Sequence, residues 1–277
     1  MHKIPIVFLF LLILTMSTFG QEPKKRPGMD AVSKAVQPFL FSVTTLTPGD
    51  RPWSINYAGG YGERVSDPFG YSGIGQEFAL KGYLGNRFTL YAKTAFGFSD
   101  GQSVSSAQQV EVIRDLIGGK NNLGFRFGLG LGGSLDYDNV GAIFSRLTMA
   151  YDTSFWRLNG NIIFEKAFGN NRDAIDVITS VGIQYRLWGT LFAGVEALGE
   201  DLEGFWEENE TEGGAKLLIG PSVNLSPKDS RFSFSLCGGP VFFATRSPVG
   251  RSDAIRDLPQ QNGYTLQARV VYDLSGI

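Results

Sequence analysis

The sequence predicts an all-β fold: an antiparallel transmembrane β-barrel of about twelve strands, with short turns at one rim and longer loops at the other. Three observations carry this. Apolar and polar residues alternate with period two in segment after segment, as in strands whose two faces meet different surroundings. The connections between these segments sort into a short set and a long set. The chain also opens with an apolar leader, MHKIPIVFLFLLILTMSTFG.

Residues 1–20 have a basic start at Lys3, an apolar run from Ile4 to Met16, and the small residues Thr18 and Gly20 ahead of Gln21. This predicts a secretory signal peptide cleaved near Gly20. A membrane anchor is the competing reading; its run is short for a helical span, and Lys24, Lys25 and Arg26 are its only support. Residues 21–52 follow as an N-terminal segment, either periplasmic or folded into the barrel as a plug. Within it, Asp30–Leu46, DAVSKAVQPFLFSVTTL, reads as a short helix and then an extended stretch. The barrel is assigned to residues 53–277.

In the first strand Trp53, Ile55, Tyr57 and Tyr61 alternate with Ser54, Asn56, Ala58 and Gly60. Phe78, Leu80 and Leu84 then alternate with Glu77, Lys81 and Tyr83. Beyond a turn at Gly85-Asn86-Arg87, Phe88, Leu90 and Ala92 alternate with Thr89, Tyr91 and Lys93. Trp156, Leu158, Ile162 and Phe164 oppose Arg157, Asn159, Asn161 and Glu165, and the last strand sets Tyr264, Leu266, Ala268, Val270 and Tyr272 against Thr265, Gln267, Arg269 and Asp273. Strands are expected near 53–62, 74–85, 87–98, 107–117, 122–135, 139–151, 154–166, 174–187, 189–199, 213–224, 231–244 and 262–274. Residues 107–117 also suit a helix through Val110, Ile113 and Leu116, with Ser106 as cap and Gly118 as stop.

Gly128–Gly133, GLGLGG, has the spacing of a dinucleotide-binding loop, with Asp152 downstream as a tempting ribose partner. That loop needs a following helix to hold the phosphates, and none follows. Phe125, Phe127, Leu129 and Leu131 alternate with Arg126, Gly128, Gly130 and Gly132, so the motif reads as a strand with a glycine row on its polar face.

The connections at 85–87, 118–121, 152–153, 188 and 226–230 are short, and those at 63–73, 99–106, 200–212 and 245–261 are long. This segregation is that of an outer-membrane barrel with short periplasmic turns and longer extracellular loops, and it requires the fourth segment to be a strand. A soluble β-sandwich is the rival; long strands with charges opposite an aromatic-rich face favour the membrane.

Composition excludes more than it selects. The chain has 25 basic and 27 acidic residues, so it carries no basic footprint for nucleic acid. Its one cysteine, Cys237, rules out an intrachain disulfide framework and a CxxC metal site. The only histidine is His2, inside the leader, so the mature chain has no histidine base for hydrolysis. Glu165 with Glu196 is a conceivable glycosidase pair, but acids beside arginines are more often salt-bridged. No enzyme activity, cofactor or metal is expected.

RDAIDVITSVGIQYRL and GVEALGEDLEGFWEENETEGGAKLLIGPS, within a pattern spanning roughly residues 53–274, resemble uncharacterised porin-like members of the Gram-negative outer-membrane β-barrel proteins. The resemblance implies location in the cell outer membrane, contact with its lipid and lipopolysaccharide, and dependence on the insertion machinery. Such proteins usually finish on an aromatic residue, whereas this chain ends Tyr272-Asp273-Leu274-Ser275-Gly276-Ile277, with Tyr272 as the substitute.

With the apolar parity facing lipid, the lumen receives Lys81, Lys93, Arg126, Arg146, Arg157, Arg186, Lys216, Arg231 and Arg269, against Glu77, Glu165, Asp176, Glu196 and Asp273. Nine bases against five acids would draw anions into a water-filled passage. The expected function is therefore a passive channel for small polar or anionic solutes. The alternative is a sealed structural or partner-binding barrel acting through its extracellular loops. Among these, 200–212 is an acidic loop bearing Glu200, Asp201, Glu203, Glu207 and Glu208 around Phe205 and Trp206. It lacks the order of an EF-hand and reads as solvated.

Overall fold

The computed structural model describes residues 36–48, 53–62, 73–98, 104–169, 175–202, 215–244 and 263–274. The leader at 1–20 lies outside them. Twelve antiparallel strands close into one barrel: β1 (Trp53–Gly62), β2 (Gly73–Gly85), β3 (Phe88–Phe98), β4 (Val104–Ile117), β5 (Gly124–Leu135), β6 (Gly141–Asp152), β7 (Trp156–Ala167), β8 (Asp176–Trp188), β9 (Leu191–Glu200), β10 (Ala215–Leu225), β11 (Phe232–Ala244) and β12 (Gly263–Asp273). Each strand pairs with its sequence neighbours, and β12 returns to β1 with Ser54 opposite Asp273 and Gly62 opposite Thr265. Closure leaves no strand edge unpaired, as a sheet in lipid requires.

The barrel is polar inside and apolar outside because its two faces meet different solvents. Lys81, Gln184 and Asn224 inside are fully shielded, whereas Leu131 on the outer face is 72% exposed. Strands of 10 to 14 residues are long enough to cross a bilayer at the usual tilt. Aromatic groups gather at the rim where β1 begins and β12 ends: Trp156 packs on Tyr185 with ring centres 4.6 Å apart, and Phe232 on Tyr272 at 4.9 Å. Amphipathic rings suit the membrane interface.

Residues 107–117 are strand, part of β4, and pair with β3 on one side and β5 on the other. The apolar spacing that would suit a helix is overridden by pairing; a helix here would leave two strand edges bare in lipid. Gln109, Glu111, Ile113 and Asp115 point inward and Val110, Val112 and Leu116 outward. β2 and β3 are joined by Asn86 and Arg87, both at positive φ, the backbone of a tight hairpin turn.

Gly128, Gly130 and Gly132 of GLGLGG face the lumen, with Leu129 and Leu131 outside. The glycines give room to neighbouring strands. A Cβ on Gly132 would stand 2.4 Å from the Phe144 ring and 2.7 Å from the Cβ of Glu111.

Candidate functional site, the lumen and its plug

Residues 36–47 lie inside the barrel. They form no strand, and all but Phe41 are buried. The segment is a hairpin-like loop closed on itself by Gln37, whose Nε2 donates to the carbonyls of Phe39 (2.9 Å) and Ser42 (2.6 Å). The Thr44 hydroxyl donates to the Val36 carbonyl at 3.1 Å, tying the two limbs together. Pro38, on the first limb, has no N–H to satisfy.

The wall grips this loop at every level. Lys81 Nζ donates to the Val36 carbonyl (2.9 Å), to Gln37 Oε1 (2.7 Å) and to Thr44 Oγ1 (3.0 Å). At the tip, Glu196 Oε2 accepts the N–H groups of Leu40 (2.8 Å) and Phe41 (3.0 Å). Glu196 Oε1 accepts the hydroxyl of Ser222, and that hydroxyl accepts Gln184 Nε2 at 2.8 Å. Arg269 donates to the carbonyls of Phe39 (2.9 Å) and Leu40 (3.0 Å), and Ser235 Oγ to that of Pro38 (3.2 Å).

On the returning limb, Asn161 accepts the Val43 N–H at 2.6 Å and donates to the Val43 carbonyl at 3.0 Å. Asn159 donates to that carbonyl and to Ser42 Oγ. Arg126 donates to the Thr45 carbonyl at 2.7 Å, Thr89 accepts the Leu46 N–H at 2.8 Å, and Thr47 hydrogen-bonds Asn122 at the rim.

Apolar contacts complete the seat. The Phe39 ring lies against Gly182, where a Cβ would stand 2.4 Å from it. Phe41 packs on the cluster Ile178, Leu198, Leu218 and Val241; Val43 joins Ala79, Tyr91 and Ile113; Val36 and Leu46 join Val271. Ordering chain costs roughly 1–2 kcal/mol per residue, so the loop stays only because these bonds and burials offset that cost.

Around the plug the wall neutralises itself. Glu111 takes a two-pronged ion pair from Arg146, at 2.7 and 3.0 Å. Asp152 pairs with Arg126 at 2.6 Å, Glu200 with Lys216 at 3.2 Å, and Glu77 with both Lys93 and Arg269. Arg157 donates to Asn224 Oδ1 and holds its guanidinium 3.7 Å above the Phe192 ring. Arg186 is half-buried at the same rim, 5.5 Å from that ring.

Lys81, Lys93, Arg126, Arg146, Arg157, Arg186, Glu196 and Arg269 thus all point into the lumen, but the surplus of bases disappears. Four further acids, Glu111, Asp115, Asp152 and Glu200, are buried there too, while Arg231 is exposed just before β11. Glu111 and Asp115 were obscured by the ambiguous period of β4, and Asp152 and Glu200 by sitting at strand ends. Glu200 therefore belongs to β9 and to an ion pair, not to an acidic loop. Asp201 extends the β8–β9 pairing by exchanging two hydrogen bonds with Val177. Glu203, Glu207 and Glu208 lie outside the described residues. The gripping residues Asn159, Asn161 and Thr89 are polar inward positions whose parity was legible, but nothing local marks them as partners of a segment so far away in sequence.

No family model and no curated protein matches the sequence. Among solved structures, a KdgM porin in complex with disordered oligogalacturonate matches with a TM-score of 0.53 at 11% identity, over 79% of this chain and 98% of that one. The NanC porin matches with a TM-score of 0.50 at 10% identity, over 79% of this chain and the whole of that one. At such identity the likeness is one of fold. The chain shares with these porins the fold of a closed antiparallel β-barrel, here of twelve strands.

Proposed function

We propose that the protein is an outer-membrane channel for small polar solutes, closed by residues 36–47 in the state described. The carrying observation is that the wall is more polar than its plug requires. Ser54 Oγ, the Asn56 amide, Gln184 Oε1, Asn159 Oδ1 and Arg269 Nε are buried without a hydrogen-bond partner among the described residues. Leaving such groups bare costs roughly 1–3 kcal/mol each, so a wall of this kind is suited to water rather than to permanent packing. The piece that fills it is a separate segment ahead of β1, with no place in the sheet.

The paired charges favour neutral or zwitterionic solutes. Acidic solutes would be tolerated but not concentrated, since a lumen of balanced sign lacks the field that gathers anions. The oligogalacturonate held by one structural neighbour is therefore not carried over. Export by the leader, insertion by the outer-membrane machinery and contact with lipopolysaccharide at the long-loop rim belong to the same proposal. No catalytic role is proposed, since Glu196 is committed to the plug and to Ser222.

Current through a planar bilayer under a salt gradient tests the reading. The native chain should be silent or open rarely, and full-length Phe39→Ala/Phe41→Ala should open in discrete steps with a reversal potential near zero. A folded double variant that stays silent would sink the channel reading and turn attention to the loops at 200–212 and 245–261.

A further inference from the structure

The wall's hydrogen bonds reach the main chain of the plug at more points than its side chains. Glu196 accepts two successive N–H groups, Arg269 donates to two successive carbonyls, and Asn161 spans the N–H and carbonyl of a single residue, Val43. Asn159, Lys81, Arg126, Thr89 and Ser235 each reach a further backbone group. The wall also meets every polar side chain of the plug, at Gln37, Ser42, Thr44, Thr45 and Thr47. Backbone groups are the same in every peptide, so the main-chain part of this array reads a looped peptide with little regard to its sequence. Preference for residue type comes from the apolar seats: bare Gly182 under one aromatic ring, and the Ile178, Leu198, Leu218 and Val241 cluster beside another.

We propose that the lumen is a binding site for oligopeptides, and that residues 36–47 are a resident pseudo-ligand which a short peptide with aromatic or aliphatic side chains replaces. The proposal rests on the channel reading and gives it a substrate class. A peptide is zwitterionic and needs donors and acceptors in similar number, which this wall supplies. A sugar hydroxyl could satisfy single contacts, but the paired N–H and carbonyl that Asn161 spans are a peptide feature.

The test uses full-length Phe39→Ala/Phe41→Ala, in which the resident loop is weakened, and a labelled dodecapeptide of the sequence VQPFLFSVTTLT. The peptide should bind saturably. N-methylation at the positions of Leu40, Phe41 and Val43, which removes three of the four gripped N–H groups, should weaken binding by about tenfold or more. Asn161→Leu in the wall should do the same; if that variant does not fold, the N-methylated peptide against the unaltered wall gives the same readout. A dodecapeptide that keeps Gln, Thr and the two aromatic residues at the positions of Gln37, Thr44, Phe39 and Phe41 but is otherwise unrelated should bind within about tenfold of the first.

Equal binding of the N-methylated peptide, or no saturable binding at all, would overturn the proposal. Bilayer current separates it from the channel reading. A variant that conducts but binds no peptide refutes the peptide site alone, whereas one that binds peptide yet never conducts supports the site and refutes the passage.

Discussion

The wall and the plug are built from one chain by opposite means. Every wall strand has its backbone groups paired along both edges by its neighbours, so removing any one strand would strip two others. The plug has no ladder; side chains of the wall satisfy its N–H and carbonyl groups one at a time. A ladder breaks cooperatively or not at all, whereas side-chain grips can be released singly and replaced by water. The difference separates a part held by one cooperative ladder from a part held by contacts that are independent of one another.

The sharpest way to break this contrast is in the wall itself. Glu111→Leu leaves the buried Arg146 without its ion partner, and removing one member of a buried pair costs roughly 3–5 kcal/mol. The temperature at which the folded, heat-modifiable species is lost should fall markedly, plug or no plug. Gly182→Leu should act on the plug instead. Its Cβ intrudes on the Phe39 ring, and overpacking of this sort costs roughly 1–3 kcal/mol. The expected readout is labelling of Cys237, a buried inward thiol opposite Ser222, by a small water-soluble maleimide. The rate should rise about tenfold while the melting temperature barely moves. Unchanged labelling with a lower melting temperature would mean that plug and wall unfold together.

Thr89→Val deletes a single grip, the acceptor for the Leu46 N–H, worth about 1 kcal/mol. Labelling of Cys237 should then rise only severalfold. Arg114→Ala, on the outer face with its guanidinium 5.1 Å from the Phe88 ring, should shift the melting temperature by the equivalent of about 1 kcal/mol or less and leave labelling unchanged.

The wall was legible because the membrane writes it residue by residue. With lipid on one side and a polar lumen on the other, each inward position from Lys81 to Arg269 differs in kind from its outward neighbours, and a period of two survives local exceptions such as the inward Ile178. It blurred where the outward face itself turned polar, at Ser106 and Gln108, and there β4 resembled a helix. The plug had no such writing. QPFLFSVTTL has neither period, and its partners Asn161 and Arg269 lie more than a hundred residues away, joined to it by side-chain bonds that leave no pattern in either sequence stretch. What did mark it was a run of apolar residues and threonines with no strand to pair with, directly ahead of the first strand.

The loop's position ahead of β1 also bears on how the barrel is assembled. Residues 36–47 touch Lys81 on the second strand, Asn161 on the seventh, Glu196 on the ninth and Arg269 on the last, and so they reach both sides of the seam where β12 closes on β1. Once the seam has formed, that loop can enter only through an open end of the barrel. A loop already resting among the half-curled strands would instead serve as a former: each arriving strand finds a bonding partner for its inward charge before its neighbour is in place. The hairpin that stoppers the finished tube would then also have set its bore.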